Sequence, residues 1–121
     1  MSVNWSDFAV TELQAGRVVT ISPRGNSMTP KIESGAEVTL EPVIDYDSLS
    51  KGDAVLVSIG RTVYLHLITA IEKDRVQISN NHGHVNGWTS KVKVYGRVIE
   101  INNHPKAQEN VSNKKSLRWP G

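Results

Sequence analysis

The stretch AVLVSIGRTVYLHLITAI, residues 54–71, decides the fold. Two runs rich in β-branched and apolar residues, Ala54–Ile59 and Thr62–Ile71, flank the pair Gly60-Arg61. Two strands closed by a short turn are the signature of a β-hairpin. On the second strand the two-residue period places Tyr64, His66, Ile68 and Ala70 on one face and Val63, Leu65, Leu67 and Thr69 on the other. His66 thus shares its face with an aromatic and an aliphatic neighbour, a setting that disfavours its charged form.

The same period extends outward in both directions. Arg17–Ile21, Glu37–Leu40, Arg75–Ile78 and Val92–Ile101 read as further strands, with Lys73-Asp74 as a second turn. Only residues 4–15 follow a helical period, through Trp5, Phe8, Ala9 and Leu13, with Asn4 as cap and Gly16 as stop. Short strands joined by turns, with no helices alternating between them, predict a mainly β, antiparallel and coiled fold with one short N-terminal helix.

The chain has 121 residues, 38% of them hydrophobic, enough for one modest core and too few for two. We expect one domain over residues 1–102. Residues 103–121 are polar, lack periodicity and carry Lys106, Lys114, Lys115 and Arg118, which predicts a flexible or surface-draped tail. The absence of cysteine excludes disulfides, cysteine zinc sites and a thiol nucleophile. Met1–Gly16 contains Asp7 and Glu12 and no apolar run, so neither a signal peptide nor a membrane anchor is expected, and a cytoplasmic location follows. The net charge of +2 owes much to the tail. Contact between that tail, with Trp119, and nucleic acid is the weaker alternative to a solvated terminus.

The candidate chemistry lies at Arg24-Gly25-Asn26-Ser27-Met28-Thr29-Pro30. Gly25 can adopt a positive φ and Pro30 fixes its own, so Ser27 is presented on a bent loop between two strands. A serine hydroxyl becomes a nucleophile only with a base in hydrogen-bond reach and donors for the oxyanion.

The Gly-x-Ser-Met-x-Pro pattern resembles the nucleophile box of the signal peptidase I and LexA-type serine peptidases. The similarity runs over residues 17–101 through Ser34-Gly35-Ala36-Glu37-Val38, Lys51-Gly52-Asp53-Ala54-Val55, Val63-Tyr64-Leu65-His66 and Val94-Tyr95-Gly96-Arg97-Val98. The resemblance implies a compact coiled β-sheet or barrel, Ser27 as nucleophile and His66, 39 residues on, as general base. It also implies that Gly25, Asn26 and Met28 border the substrate groove and oxyanion site. A lysine base such as Lys31 or Lys51 is the alternative within the superfamily, and a histidine that merely fills a sheet face is the alternative for His66. Met28 reads equally well as a core filler.

Where histidine-type relatives place acids, this chain aligns Asn80 and Asn86. An asparagine carbonyl can orient an imidazole but brings no charge, and Asn80, Asn81 and Asn86 also suit turns. The resemblance implies a protein or peptide substrate and no cofactor. The leading rival is a silent peptidase-fold module that binds a protein or peptide partner in the same groove.

Two local features are weaker. Ala15-Gly16 is similar to the bond cut in LexA-type self-cleavage, yet it suits a helix C-cap better. His82-Gly83-His84, with His104, offers imidazoles without a carboxylate pair, so a polar loop is expected and no metal site.

Overall fold

A computed structural model describes residues 5–103 of the chain. The expected cap Asn4 and the expected tail from residue 104 onward, with His104, Trp119 and the tail's basic residues, lie outside the described residues. Among those described, no helix is long and apolar enough to cross a membrane.

One helix precedes seven strands: α1 (Trp5–Gln14), β1 (Val19–Ile21), β2 (Glu37–Pro42), β3 (Ala54–Ile59), β4 (Thr62–Glu72), β5 (Arg75–Ser79), β6 (Val85–Ser90) and β7 (Val94–Asn102). All pairings are antiparallel, in the order β1-β2-β7-β3-β4-β5-β6. The fold is therefore mainly β with a short N-terminal helix, as the alternation predicts, and residues 60–61 and 73–74 are the expected turns. Helix α1 ends in a cap in which the Arg17 N–H reaches back to the Glu12 carbonyl (3.0 Å) and the Gly16 N–H to that of Leu13 (3.0 Å). Ala15-Gly16 thus serves as the helix stop.

Both faces of the sheet bury apolar side chains. On one, Ala9 and Leu13 of α1 pack with Val19, Ile21, Val38, Leu40, Leu56 and Leu65; on the other, Val55, Val57, Ile68, Val76, Ile78 and Val94 form a second cluster. The second cluster exists because β3–β6 curl over themselves. Gly87 of β6 comes to face Ile59 of β3, and the Thr89 hydroxyl donates to the Ser58 carbonyl (3.0 Å). No ladder joins β6 to β3, however, so the sheet is coiled and open, and the barrel form of the expectation does not hold.

Two differences from the sequence reading have local causes. Residues 85–90, to which the two-residue period assigns no strand, form β6, because pairing with β5 supplies what Asn86-Gly87 lacks in β propensity. Asn103, expected to open the tail, is tied to the body: its side chain accepts from the Glu33 N–H (2.9 Å) and donates to the Lys31 carbonyl (3.3 Å).

Candidate active site

Ser27 sits on the turn that links β1 to β2. Gly25 holds φ at 124°, a region that side-chain-bearing residues rarely adopt, and its N–H donates to the Ser34 hydroxyl (3.0 Å). Beyond the serine the chain makes one tight turn, with Thr29 N–H bound to the Asn26 carbonyl (3.2 Å) and Ile32 N–H to that of Met28 (2.9 Å). Met28 and Ile32 anchor this turn in the core beneath α1, at 4% and 3% exposure, while Ser27 stays exposed. The core-filler account of Met28 therefore holds for its side chain, which also floors the cleft beside Ser27. The N–H groups of Ser27 and Met28 meet no acceptor among the described residues.

His66 stands on β4 opposite Val55, 8% exposed, with its ring 5.0 Å from that of Tyr64. Its Nε2 lies 3.0 Å from Ser27 Oγ, and its Nδ1 lies 2.7 Å from Asn86 Oδ1. An amide oxygen facing Nδ1 requires the ring proton there, which leaves the Nε2 lone pair for the serine hydroxyl. That is the tautomer a general base needs. Burial lowers the imidazole's pKa below its ordinary value; the Asn86 bond opposes this, and charge on His84 adds to it.

Asn86 reaches the ring because β6 bulges. Ile78 pairs with Gly87 and Ser79 with Val85, so Asn86 is the extra residue between them, and a bulge re-aims its side chain. Asn80, the other aligned asparagine, plays a different part. Its Oδ1 accepts from the His82 N–H (2.8 Å) and the His84 N–H (3.0 Å), shaping the β5–β6 loop. It makes no bond to the imidazole.

That loop carries residues whose role the sequence did not reveal. The Asn81 N–H donates to the Ser27 carbonyl (2.9 Å) and its side-chain amide to the Thr29 carbonyl (3.0 Å). His82 Nε2 lies 2.8 Å from the Asn26 carbonyl and 3.2 Å from Thr29 Oγ1. Asn-Asn-His between strands reads as turn chemistry, and nothing local distinguishes a turn that also grips a distant segment. Among the described residues no cluster of three or more metal-ligating side chains occurs, and His82 is engaged in this grip.

A cleft of about 150 Å³ opens beside the Ser27–His66 pair. Its walls are Pro23-Arg24-Gly25 on one side and Val63–His66 on the other, with Trp5 from α1 at one end. Along β4, pairing with β5 begins only at Leu67, so the stretch before it has an open edge. Ile68 exchanges its main-chain bonds with Asp53 and Gly52 on the β3 side. By alternation, the main-chain groups of Val63 and Leu65 then point to the open edge.

The motif pieces Gly52-Asp53 and Gly96-Arg97 lie elsewhere. The Arg97 guanidinium donates twice to Glu41 Oε2 (3.2 and 3.0 Å) and to the Ser48 carbonyl (3.0 Å), with Asp53 Oδ2 3.7 Å away. No family model matches this chain, and no curated protein does either.

Proposed function

We propose that this chain is a serine peptidase of the kind its nucleophile box resembles, with Ser27 as nucleophile, His66 as general base and Asn86 as the group that orients the base. The observation that carries this reading is the unbroken relay Ser27 Oγ to His66 Nε2 (3.0 Å) and Nδ1 to Asn86 Oδ1 (2.7 Å). An exposed serine on a tight turn and a buried imidazole in the base tautomer are the parts an acyl transfer requires.

In the first step Ser27 Oγ bonds to the substrate carbonyl carbon as His66 Nε2 takes its proton, and the Ser27 and Met28 N–H groups receive the oxyanion. The C–N bond then breaks, the imidazolium returning its proton to the leaving amine. Water then bonds to the acyl carbon as the same nitrogen takes its proton, and the ester bond to Ser27 Oγ breaks as the imidazolium returns that proton to Oγ, which frees the acid and restores the serine. The substrate segment lies extended along the open edge of β4, pairing with the main chain of Val63 and Leu65.

The neutral Asn86 favours a second reading, a module that keeps the groove and has lost turnover, since an amide gives the imidazolium no charge stabilisation. A fluorophosphonate probe separates the two. The peptidase reading expects wild-type protein to be labelled at Ser27, with labelling abolished in Ser27→Ala and the thermal midpoint preserved. Wild-type protein inert to the probe, yet binding an extended peptide that protects the β4 edge in hydrogen exchange, establishes the binding module instead.

A further inference from the structure

We propose that His82 and Asn81 are positioning residues for the nucleophile: the β5–β6 loop is a strap that sets the distance from Ser27 Oγ to the imidazole. The inference rests on the peptidase reading for its kinetic consequence, and on geometry alone for its structural one.

The two reacting groups come from parts of the chain far apart in sequence. Ser27 belongs to an exposed turn before β2 and His66 to β4. Proton transfer needs them within hydrogen-bond reach, and an error near 1 Å costs about a hundredfold in rate. The turn's own bonds fix its shape: Thr29 N–H to Asn26, Gly25 N–H to Ser34. None of these reaches the strand that bears the base. Beyond the core packing of Met28 and Ile32, the hydrogen-bonded link across that gap is made by the loop, through the Asn81 N–H to the Ser27 carbonyl (2.9 Å), the Asn81 amide to the Thr29 carbonyl (3.0 Å) and His82 Nε2 to the Asn26 carbonyl (2.8 Å). The carbonyls on both sides of the Asn26–Ser27 step are therefore held from the same side.

The loop is braced from within, Asn80 Oδ1 gathering the N–H groups of His82 and His84 (2.8 and 3.0 Å). Its hairpin also carries Asn86, which holds the other side of the imidazole (2.7 Å). One hairpin thus grips the serine's turn at its tip and the base's ring from its bulge. Serine, histidine and asparagine are referred to a single frame.

His82 and Asn26 are both exposed, so cutting their bond leaves no buried polar group unpaired and little stability is at stake. His82→Ala is therefore expected to keep the wild-type thermal midpoint within a few degrees while the maximal rate of fluorophosphonate labelling at Ser27 falls about tenfold to a hundredfold, with probe affinity changed far less. His82→Gln, whose amide can donate to the same carbonyl, is expected to recover most of that rate. In protein labelled with ¹⁵N-histidine, the His66 Nε2 resonance should move toward that of a free acceptor in His82→Ala and return in His82→Gln. Wild-type labelling in His82→Ala, an unrescued His82→Gln, or an unmoved His66 Nε2 resonance overturns the strap. If the wild type itself resists the probe, the peptidase reading falls, and the Nε2 resonance alone decides the strap: displacement upholds it and constancy refutes it.

Discussion

In the proposed mechanism the environment of His66 sets the working range of the site. At 8% exposure its charged form loses hydration, and this burial, more than any neighbour, lowers its pKa below the ordinary 6.5. The base form is neutral, so kcat/KM, or the labelling rate of Ser27, is expected to rise with pH through an inflection below about 6.5 and to be flat at neutrality. A lysine base would place that limb higher, and Lys51 is exposed in the turn before β3 with no bond to Ser27. Stability follows with a definite sign. The unfolded chain protonates this histidine before the folded one does, so stability is lost as pH falls through about 6.5 and levels off below the folded pKa. Urea midpoints of wild type and His66→Gln between pH 7.5 and pH 5 should show the extra loss in the wild type only. Asn86 offers a sharper test. In Asn86→Asp a carboxylate would occupy the place of an oxygen now 2.7 Å from Nδ1 and stabilise the imidazolium. The inflection should move up and the maximal rate should increase. A folded Asn86→Asp protein with an unchanged pH profile would show that Asn86 does not stand where the histidine-type peptidases the chain resembles place an acid.

At the level of elements, what could be read from the sequence was whatever local pattern determines. Residues 54–71 carry their own period and turn, and β3, β4 and the shared face of Tyr64 and His66 follow from them. Strand β6 could not be read this way. Its glycine and asparagine are poor strand formers, and the bulge that aims Asn86 arises only when the strand is laid against β5. For the same reason Asn80 and Asn86 look equivalent in sequence, although one shapes a loop and the other bonds to the His66 ring. The packing of α1 is a further long-range fact that rests on one residue. A methyl group at Gly96 would lie 2.6 and 3.0 Å from the Leu13 side chain and 3.1 Å from the Glu41 carbonyl. The leucine is 3% exposed and has little room to yield. Gly96→Ala should therefore cost about 1–3 kcal/mol, the range for overpacking a core. Urea unfolding of Gly96→Ala, Leu13→Ala and the double variant provides the check: the glycine substitution should cost clearly less once Leu13 is truncated, since contacting residues are not additive.

For the molecule as a whole, the order β2-β7-β3 is decisive, because the last strand fills the middle of the sheet and joins its two halves. No local pattern announces such an insertion, which depends on pairing between segments far apart in the chain. One half, with α1, β1 and β2, carries the Ser27 turn; the other, β4–β6, carries His66 and Asn86. Arg97 stands where they meet. From β7 it reaches Glu41 on β2, Ser48 in the following connection and Asp53 before β3, at 24% exposure of its side chain. Gly-Asp and Gly-Arg therefore enter the resemblance as parts of the scaffold, while Ser27 and His66 enter it as parts of the candidate site. This division has a measurable consequence. Arg97→Ala removes several charge-assisted bonds that are only partly shielded from water, and it should destabilise the domain by about 1–3 kcal/mol, less than a fully buried network would lose. For a domain of this size, that is a fall in thermal midpoint of roughly 4–8 °C for each kcal/mol. Well below the new midpoint, labelling of Ser27 per folded molecule should stay at the wild-type rate with its inflection unmoved, because Arg97 touches neither the nucleophile turn nor the imidazole. A variant that keeps its stability but loses reactivity would reverse the assignment and bring Arg97 into the site.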